Sequence, residues 1–208
     1  MTQTLSFSDI EPCMHVHSHN SGVFTHRSSG HQSWGTLQEK FFANQHYAFK
    51  EYRLDMQRQH RVQYDEALLP RCMSICLALQ GAVQVEFKDS GFAASLNSLQ
   101  HHSMYAHERE YDLIIDRAIH GIHVAVDLDY YINLLGDDDR WMAALREKLV
   151  KKEHVMQGDA SVSKEMLVAI QTIGNNPLKG NLGKLLTEAK ILELIALQIG
   201  QFTTETKK

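Results

Sequence analysis

From Asn175 to Phe202 the chain reads NNPLKGNLGKLLTEAKILELIALQIGQF, a turn signal followed by a helix with more apolar positions than one core face needs. Leu182, Leu185, Leu186, Ala189, Leu192, Ile195, Ala196, Ile199 and Phe202 recur at the three- and four-residue steps of an amphipathic helix. Ile191, Leu194 and Leu197 lie off that stripe, so apolar side chains cover well over half the circumference. Such a helix must be covered on more than one side, by its own domain or by a second copy of the chain. The excess favours the second copy, and an isologous twofold contact follows from it. The expected dimerisation face is Leu182, Leu185, Leu186, Ala189, Leu192, Ile195, Ala196 and Ile199. Gly183 and Gly200 belong in the first and last turns or at close approaches, because glycine inside a helix costs about 1 kcal/mol relative to alanine.

The pattern upstream is different, and it changes near Val126. Tyr47, Phe49, Glu51 and Arg53 alternate with Ala48, Lys50, Tyr52 and Leu54, while Met73, Ile75, Leu77 and Leu79 share one parity. Val83, Val85 and Phe87 alternate with Gln84, Glu86 and Lys88, which predicts two strands joined at Gly81 and a turn at Lys88-Asp89-Ser90-Gly91. Further short strands are expected over 92–96, 103–106, 112–116 and 119–126, a count and spacing that suit a small barrel or sandwich. After Val126 the periodicity is helical. Asp127 can cap a helix from Leu128 to Leu135, Asp137-Asp138-Asp139 opens a second, and Ser161 or Ser163 opens a third that runs to Ile173. Strands first and helices last predict an α+β fold with segregated layers.

Composition narrows the function. The 208 residues suffice for one sizeable domain, and the charge of −4 shows no cluster of Lys and Arg of the kind phosphate contacts require. No apolar run approaches the roughly 20 residues of a membrane span, and the first residues, MTQTLSFSDIEPC, lack the basic and apolar regions of a secretion signal. A cytoplasmic protein is expected, with Cys13, Cys72 and Cys76 reduced. On one strand face Cys72 and Cys76 would lie about 13 Å apart, too far for a disulfide. There is no G-x-S-x-G elbow and no phosphate-cradling glycine loop, so nucleophilic catalysis has no support.

Thirteen histidines raise the question of a metal. His15, His17 and His19 form an H-x-H-x-H array, but before the strands begin and with no acidic residue close downstream. His101 and His102 are adjacent and point to opposite strand faces. A three-histidine site with a carboxylate is not encoded at a usable spacing, and neither a metal nor another cofactor is expected.

The order of these features resembles the N-terminal sensing and dimerisation part of AraC/XylS-type transcription regulators. The resemblance rests on SICLALQGAVQVEF, on IHVAVDLDYYINLLG, and on a closing helix with Leu182, Leu185, Glu188-Ala189-Lys190, Leu192-Glu193-Leu194 and Leu197. It implies a cupin-like β-barrel or sandwich that binds a small effector, followed by a helical layer that forms a homodimer. In such regulators a region of two helix-turn-helix units comes next; it is not present in this chain, so DNA would be reached only through it. The resemblance divides the chain into an N-terminal arm (1–34) able to close over the effector, a cupin-like barrel (35–126), a helical dimerisation region (127–202) and a linker or tail (203–208).

A barrel mouth that holds a small molecule needs an apolar, aromatic lining with a few placed polar groups. Tyr47, Tyr52, Arg53, His60, Tyr64, His102, Tyr105 and His120 have that character and fall in expected strands, although the pattern does not show which of them face inward. The reading is a sensor module and not an enzyme. The alternatives are a stand-alone cupin-like metal-dependent isomerase or dioxygenase, with His101, His102 and His107 as candidate ligands, or a small-molecule binding protein without DNA-binding partner.

Overall fold

Two strands are long enough to belong to two sheet layers at once. In the computed structural model, which describes residues 3–6, 15–17, 23–31, 34–64, 71–88, 91–106, 110–136 and 139–205, these are β7 (Cys72–Phe87) and β10 (Tyr111–Asp127). They pair antiparallel along their whole length, with a register irregularity between Ile115 and Ile119. The remaining strands are β1 (Gln3–Ser6), β2 (His15–His17), β3 (Thr25–His31), β4 (Gly35–Ala43), β5 (Tyr47–Met56), β6 (His60–Tyr64), β8 (Ala93–Leu96), β9 (Gln100–Tyr105) and β11 (Val155–Ser161).

On one side of the irregularity, β10 pairs β5 through Ala118–Val126 and β7 pairs β9 through Ser74–Ala78. This gives a large layer in the order β11-β9-β7-β10-β5-β4-β3-β2. On the other side, β10 pairs β6 and β7 pairs β8, and β1 lies parallel to β6. The smaller layer folds back over the larger one, and Leu5, Trp34, Leu37, Met56, Val62, Ile115 and Ile119 pack between them. Among the described residues the strand ladder stays open, so the expected barrel-or-sandwich is an open sheet folded into a sandwich.

Strand alternation gives the large layer two different faces. Phe49, Met73, Ile75, Leu77, Ile122, Val124 and Val126 point away from the small layer and are buried beneath the helices. Those helices are α1 (Leu128–Leu134), α2 (Arg140–Val150), α3 (Lys164–Gly174) and α4 (Gly180–Glu205). Tyr131, Leu145, Leu149, Met166, Ile173, Ile191, Leu194 and Ile195 complete this core. The architecture is α+β, with the helices confined to one face.

Each of the first three helices starts where a side chain can accept from the exposed first-turn amides. Asp127 accepts from the Tyr130 amide at 2.9 Å, Asp139 from Trp141 at 2.8 Å and Ser163 from Met166 at 3.2 Å. Ser163→Ala is expected to cost about 1 kcal/mol in urea unfolding, and Ser163→Asp to cost almost nothing.

Three details differ from the sequence reading. The expected hairpin at Gly81 does not form, because β7 continues through Gly81 and bends there. The segments 112–116 and 119–126 are likewise one strand carrying a bulge. Strand β11 lies between α2 and α3, where no strand was expected, and extends the sheet beside β9. The region read as an arm contributes β1, β2 and β3, and β3 pairs β4 from Thr25↔Phe41 to His31↔Gly35.

Candidate functional site

The fold-back leaves a cavity of about 200 Å³ between the two layers. Its floor is the face of the large layer turned away from the helices: Glu39 from β4, Lys50, Tyr52 and Leu54 from β5, Cys72, Ser74 and Cys76 from β7, His102 and Met104 from β9, and His123 and Ala125 from β10. Its roof is apolar and aromatic, with Val62 and Tyr64 from β6, Val83, Val85 and Phe87 from β7, Ala94 and Leu96 from β8, and Tyr111, Leu113 and Ile115 from β10. The register accounts for the polar floor. His102 pairs with Cys76, Cys76 with His123 and His123 with Lys50, so one row across four strands puts all four on the same face.

Tyr52 is placed by a glycine. A side chain at Gly121 would come within 2.6 Å of the Tyr52 ring and hydroxyl, so the ring lies where a β-carbon would otherwise stand. Tyr64 and Tyr111 stack at 4.9 Å with 8° between their planes. Burial holds the hydroxyls of Tyr52, Tyr64 and Tyr111 well above the ordinary tyrosine range and pushes the Cys76 thiol up to about 12. These groups act as neutral hydrogen-bonding or apolar surface. Cys72 and Cys76 are free thiols.

The charged groups of the floor are a carboxylate and an amine. Lys50 Nζ lies 3.6 Å from Glu39 Oε1 and 5.8 Å from the centre of the Tyr52 ring. His123 Nε2 lies 3.3 Å from Ser74 Oγ. Burial, then the charge of Lys50 and the nearness of His102, lowers the His123 pKa to about 3, so the imidazole is neutral at physiological pH. In the unfolded chain it titrates near 6.5. Between these values the unfolded state binds more protons, so stability is complete above about 6.5 and falls as the pH drops toward 3. From pH 7 to 5 this one group should cost at most about 2 kcal/mol. Urea midpoints at the two pH values measure the loss, and His123→Gln should flatten the dependence.

Of the eight residues expected to bind a ligand, Tyr52, Tyr64 and His102 line the cavity. Tyr47 and Tyr105 are buried on the helix-facing side, and the Tyr47 hydroxyl donates to the Glu188 carbonyl at 3.5 Å with its pKa raised to about 12, chiefly by burial. His120 and Arg53 surround Glu51, at 2.9 and 3.8 Å, with Lys40 at 3.4 Å. Burial of Glu51 opposes ionisation, but the His120 hydrogen bond and Lys40 outweigh it and hold its carboxyl below the usual range. His60 is fully buried, and its Nδ1 donates to the Arg58 carbonyl at 2.7 Å. The cavity residues the sequence reading missed are Glu39, Lys50, Ser74, Cys76, Tyr111 and His123. Among the described residues no group of three or more His, Cys, Asp or Glu could hold a metal, and His19 and His107 lie outside them.

The back of the floor touches the last helix. His101, next to His102 but on the opposite face, hydrogen-bonds Gln201 and lies 5.5 Å from the Phe202 ring. At the other edge Asn44 donates to Glu188 at 3.3 Å. On α4 itself the apolar positions separate into two faces. Ile191, Leu194, Ile195, Ile199 and Phe202 are buried against the same domain. Leu182 (64% exposed), Leu185 (62%) and Leu192 (36%) point outward, as do Ala189 and Ala196, and Leu186 is half-buried. Ile195 and Ile199, at 1% and 7% exposure, therefore belong to the core and not to an outward face.

Residues 52–208 match the family described as the regulatory protein PchR N-terminal domain. The chain belongs to that family. It is an N-terminal domain of a regulatory protein, in agreement with the resemblance to the sensing part of AraC-type regulators. A search of curated proteins gave no match. Solved structures with a similar course of chain include the AraC-like transcriptional activator CuxR, at TM-score 0.49 and 11% identity over 88% of this chain and 59% of that one. They also include apo ToxT from Vibrio cholerae, at 0.48 and 8% over 76% and 58%. The EutQ protein of Clostridium difficile aligns at 0.33 and 8% over 44% and 68%. The PchR-type chain thus spans well under two thirds of the CuxR and ToxT chains. Among its described residues no helix is long and apolar enough to cross a membrane.

Proposed function

We propose that this PchR-type domain binds a small-molecule effector in the cavity between its sheet layers and reports occupancy through α4 to a second copy of itself. The observation that carries the reading is continuity: His102 faces the cavity while His101, its chain neighbour, is bonded to Gln201 of α4. An effector that presses on β9 or β5 acts on strands whose far sides hold that helix. It shifts the helix only to the extent that it binds one arrangement more tightly than the other.

The outward residues Leu182, Leu185, Ala189, Leu192 and Ala196 follow one another at steps of three and four, the spacing of a two-helix seam. They supply the homodimer contact. DNA contact belongs to an attached helix-turn-helix region whose two copies the dimer spaces, and the setting is the cytoplasm. The reading requires no reaction at the cavity.

Native mass spectrometry on protein equilibrated with a small-molecule cell extract tests the effector site. One adduct per chain is expected, and Ala125→Phe, which fills the cavity floor, should abolish it. Equal retention by both proteins, or none by either, counts against the cavity.

A further inference from the structure

We propose that the cavity takes an uncharged ligand with a planar aromatic body of more than one ring, its polar end set against Ser74 and His123. This rests on the cavity being the effector site. Among the described residues that line it, Glu39 and Lys50 are the only Asp, Glu, Lys or Arg side chains. Glu39 is the register partner of Tyr52, and Lys50 precedes Tyr52 by two residues on the same face. The two therefore meet diagonally across β4 and β5, at 3.6 Å, and each is the other's counter-ion. Burial keeps the Cys76 thiol, the hydroxyls of Tyr52, Tyr64 and Tyr111, and the His123 imidazole neutral as well. A charged ligand would leave water for a largely apolar space whose amine and carboxylate already engage each other. An anion beside Lys50 would also face Glu39, and a cation beside Glu39 would face Lys50.

The polar end has a defined place. Ser74 pairs with Ala125 and Cys76 with His123, so Ser74 and His123 also meet diagonally, with His123 Nε2 at 3.3 Å from Ser74 Oγ. A neutral imidazole has one donor and one acceptor nitrogen, and a hydroxyl can do either, so the pair answers a carbonyl, a phenol or an amide by choice of tautomer. The rest of the cavity selects the body. Its volume of about 200 Å³ exceeds the roughly 150 Å³ that holds a single benzene. Tyr64 and Tyr111 form a flat stacked wall in the roof over Tyr52, and Phe87 adjoins Tyr111 at 5.7 Å. Planar rings fill such a space, whereas a polyol would leave most of its hydroxyls facing aromatic carbon.

Two dyes share an anilinonaphthalene body: neutral N-phenyl-1-naphthylamine and anionic 1-anilinonaphthalene-8-sulfonate. Fluorescence titrations are made on the full chain carrying Leu185→Glu and Leu192→Glu, so that the helix stripe does not compete for dye. The neutral dye should bind about tenfold or more tightly than the sulfonate. Because the sulfonate is bulkier as well as charged, the deciding variant is Glu39→Gln, which keeps the shape of the lining and frees Lys50. It should tighten the sulfonate about tenfold and leave the neutral dye within about twofold. Glu39→Gln combined with Lys50→Gln should return the sulfonate to its parental affinity. For the polar end, 2-naphthol should displace the neutral dye about fivefold more effectively than naphthalene, an advantage that Ser74→Ala should reduce. A sulfonate that binds the parent as tightly as the neutral dye, or gains nothing from Glu39→Gln in a folded protein, overturns the uncharged-ligand assignment while the cavity stands. Equal displacement by 2-naphthol and naphthalene overturns the role of Ser74 and His123. Binding of neither dye to the parent overturns the cavity reading itself.

Discussion

Leu185→Glu together with Leu192→Glu is expected to leave the protein monomeric in sedimentation at concentrations where the parent chain should be a dimer. Both leucines are exposed, Leu185 at 62% and Leu192 at 36%, so the substitutions do not disturb the core beneath α4. Burying a leucine side chain is worth about 1.5–3 kcal/mol, and in an isologous contact each position counts twice. Because Leu185 is 62% and Leu192 36% exposed before association, losing all four side chains removes on the order of 3 to 6 kcal/mol before the repulsion of the new carboxylates is added. That corresponds to a weakening of about a hundredfold to ten-thousandfold. Leu194→Glu is the contrasting variant: this residue is fully buried, so it should unfold the domain and not merely separate its copies. An unchanged dimer after the double substitution, or a monomeric parent, would remove the helix seam from the account.

The second large effect is at Gly81. The bend in β7 that folds one layer over the other passes through this residue at φ +83, and an added β-carbon would lie 2.0 Å from the Ala118 carbonyl oxygen. Gly81→Ala therefore meets two obstacles, a left-handed conformation and a collision with the backbone of the neighbouring strand β10. A loss of at least about 2 kcal/mol is expected in urea unfolding, with a fall in Tm of several degrees. Gly91→Ala separates the two causes. Gly91 has φ +66 but nothing within 4 Å of its would-be β-carbon, so only the conformational cost of about 1–2 kcal/mol applies. Equal effects at the two positions would mean that the bend at Gly81 does not hold the layers together.

The same glycine shows where the sequence is legible and where it is not. Gly81 between two alternating runs has the local signature of a hairpin, and the segment Asp116-Arg117-Ala118 has that of a turn. Both are bends within long strands, because β7 and β10 pair with each other across them, and a long-range pairing leaves no local trace. Strand β11, Val-Met-Gln-Gly-Asp-Ala-Ser, has no clean alternation and pairs with β9 at the sheet edge. The helices were readable because Asp127, Asp139 and Ser163 stand directly before their first turns.

The cavity was half legible for a related reason. Alternation shows that Lys50 and Tyr52 share a face opposite Phe49, but not which face meets the helices and which the second layer. Choosing by residue character took Tyr47 and Tyr105, which lie on the helix side of the floor, and passed over Lys50 and His123, which share their face with Tyr52 and His102. On α4 the apolar excess was visible, but its division into a core face at Ile191, Leu194 and Ile195 and an outward stripe at Leu182, Leu185 and Leu192 depends on how the helix lies on the sheet.

The cavity between the layers is the centre of the account, and carbon-13 methyl spectra of the methionines locate a ligand within it. Met104 lines the cavity, whereas Met73 and Met166 are fully buried on the helix side of the large layer. Titration with N-phenyl-1-naphthylamine should move the Met104 methyl resonance first and saturably, at one dye per chain, with Met73 and Met166 shifting little. Shifts confined to Met142, on the helices, or a saturated complex in which Met104 does not move, would place binding elsewhere and contradict the account.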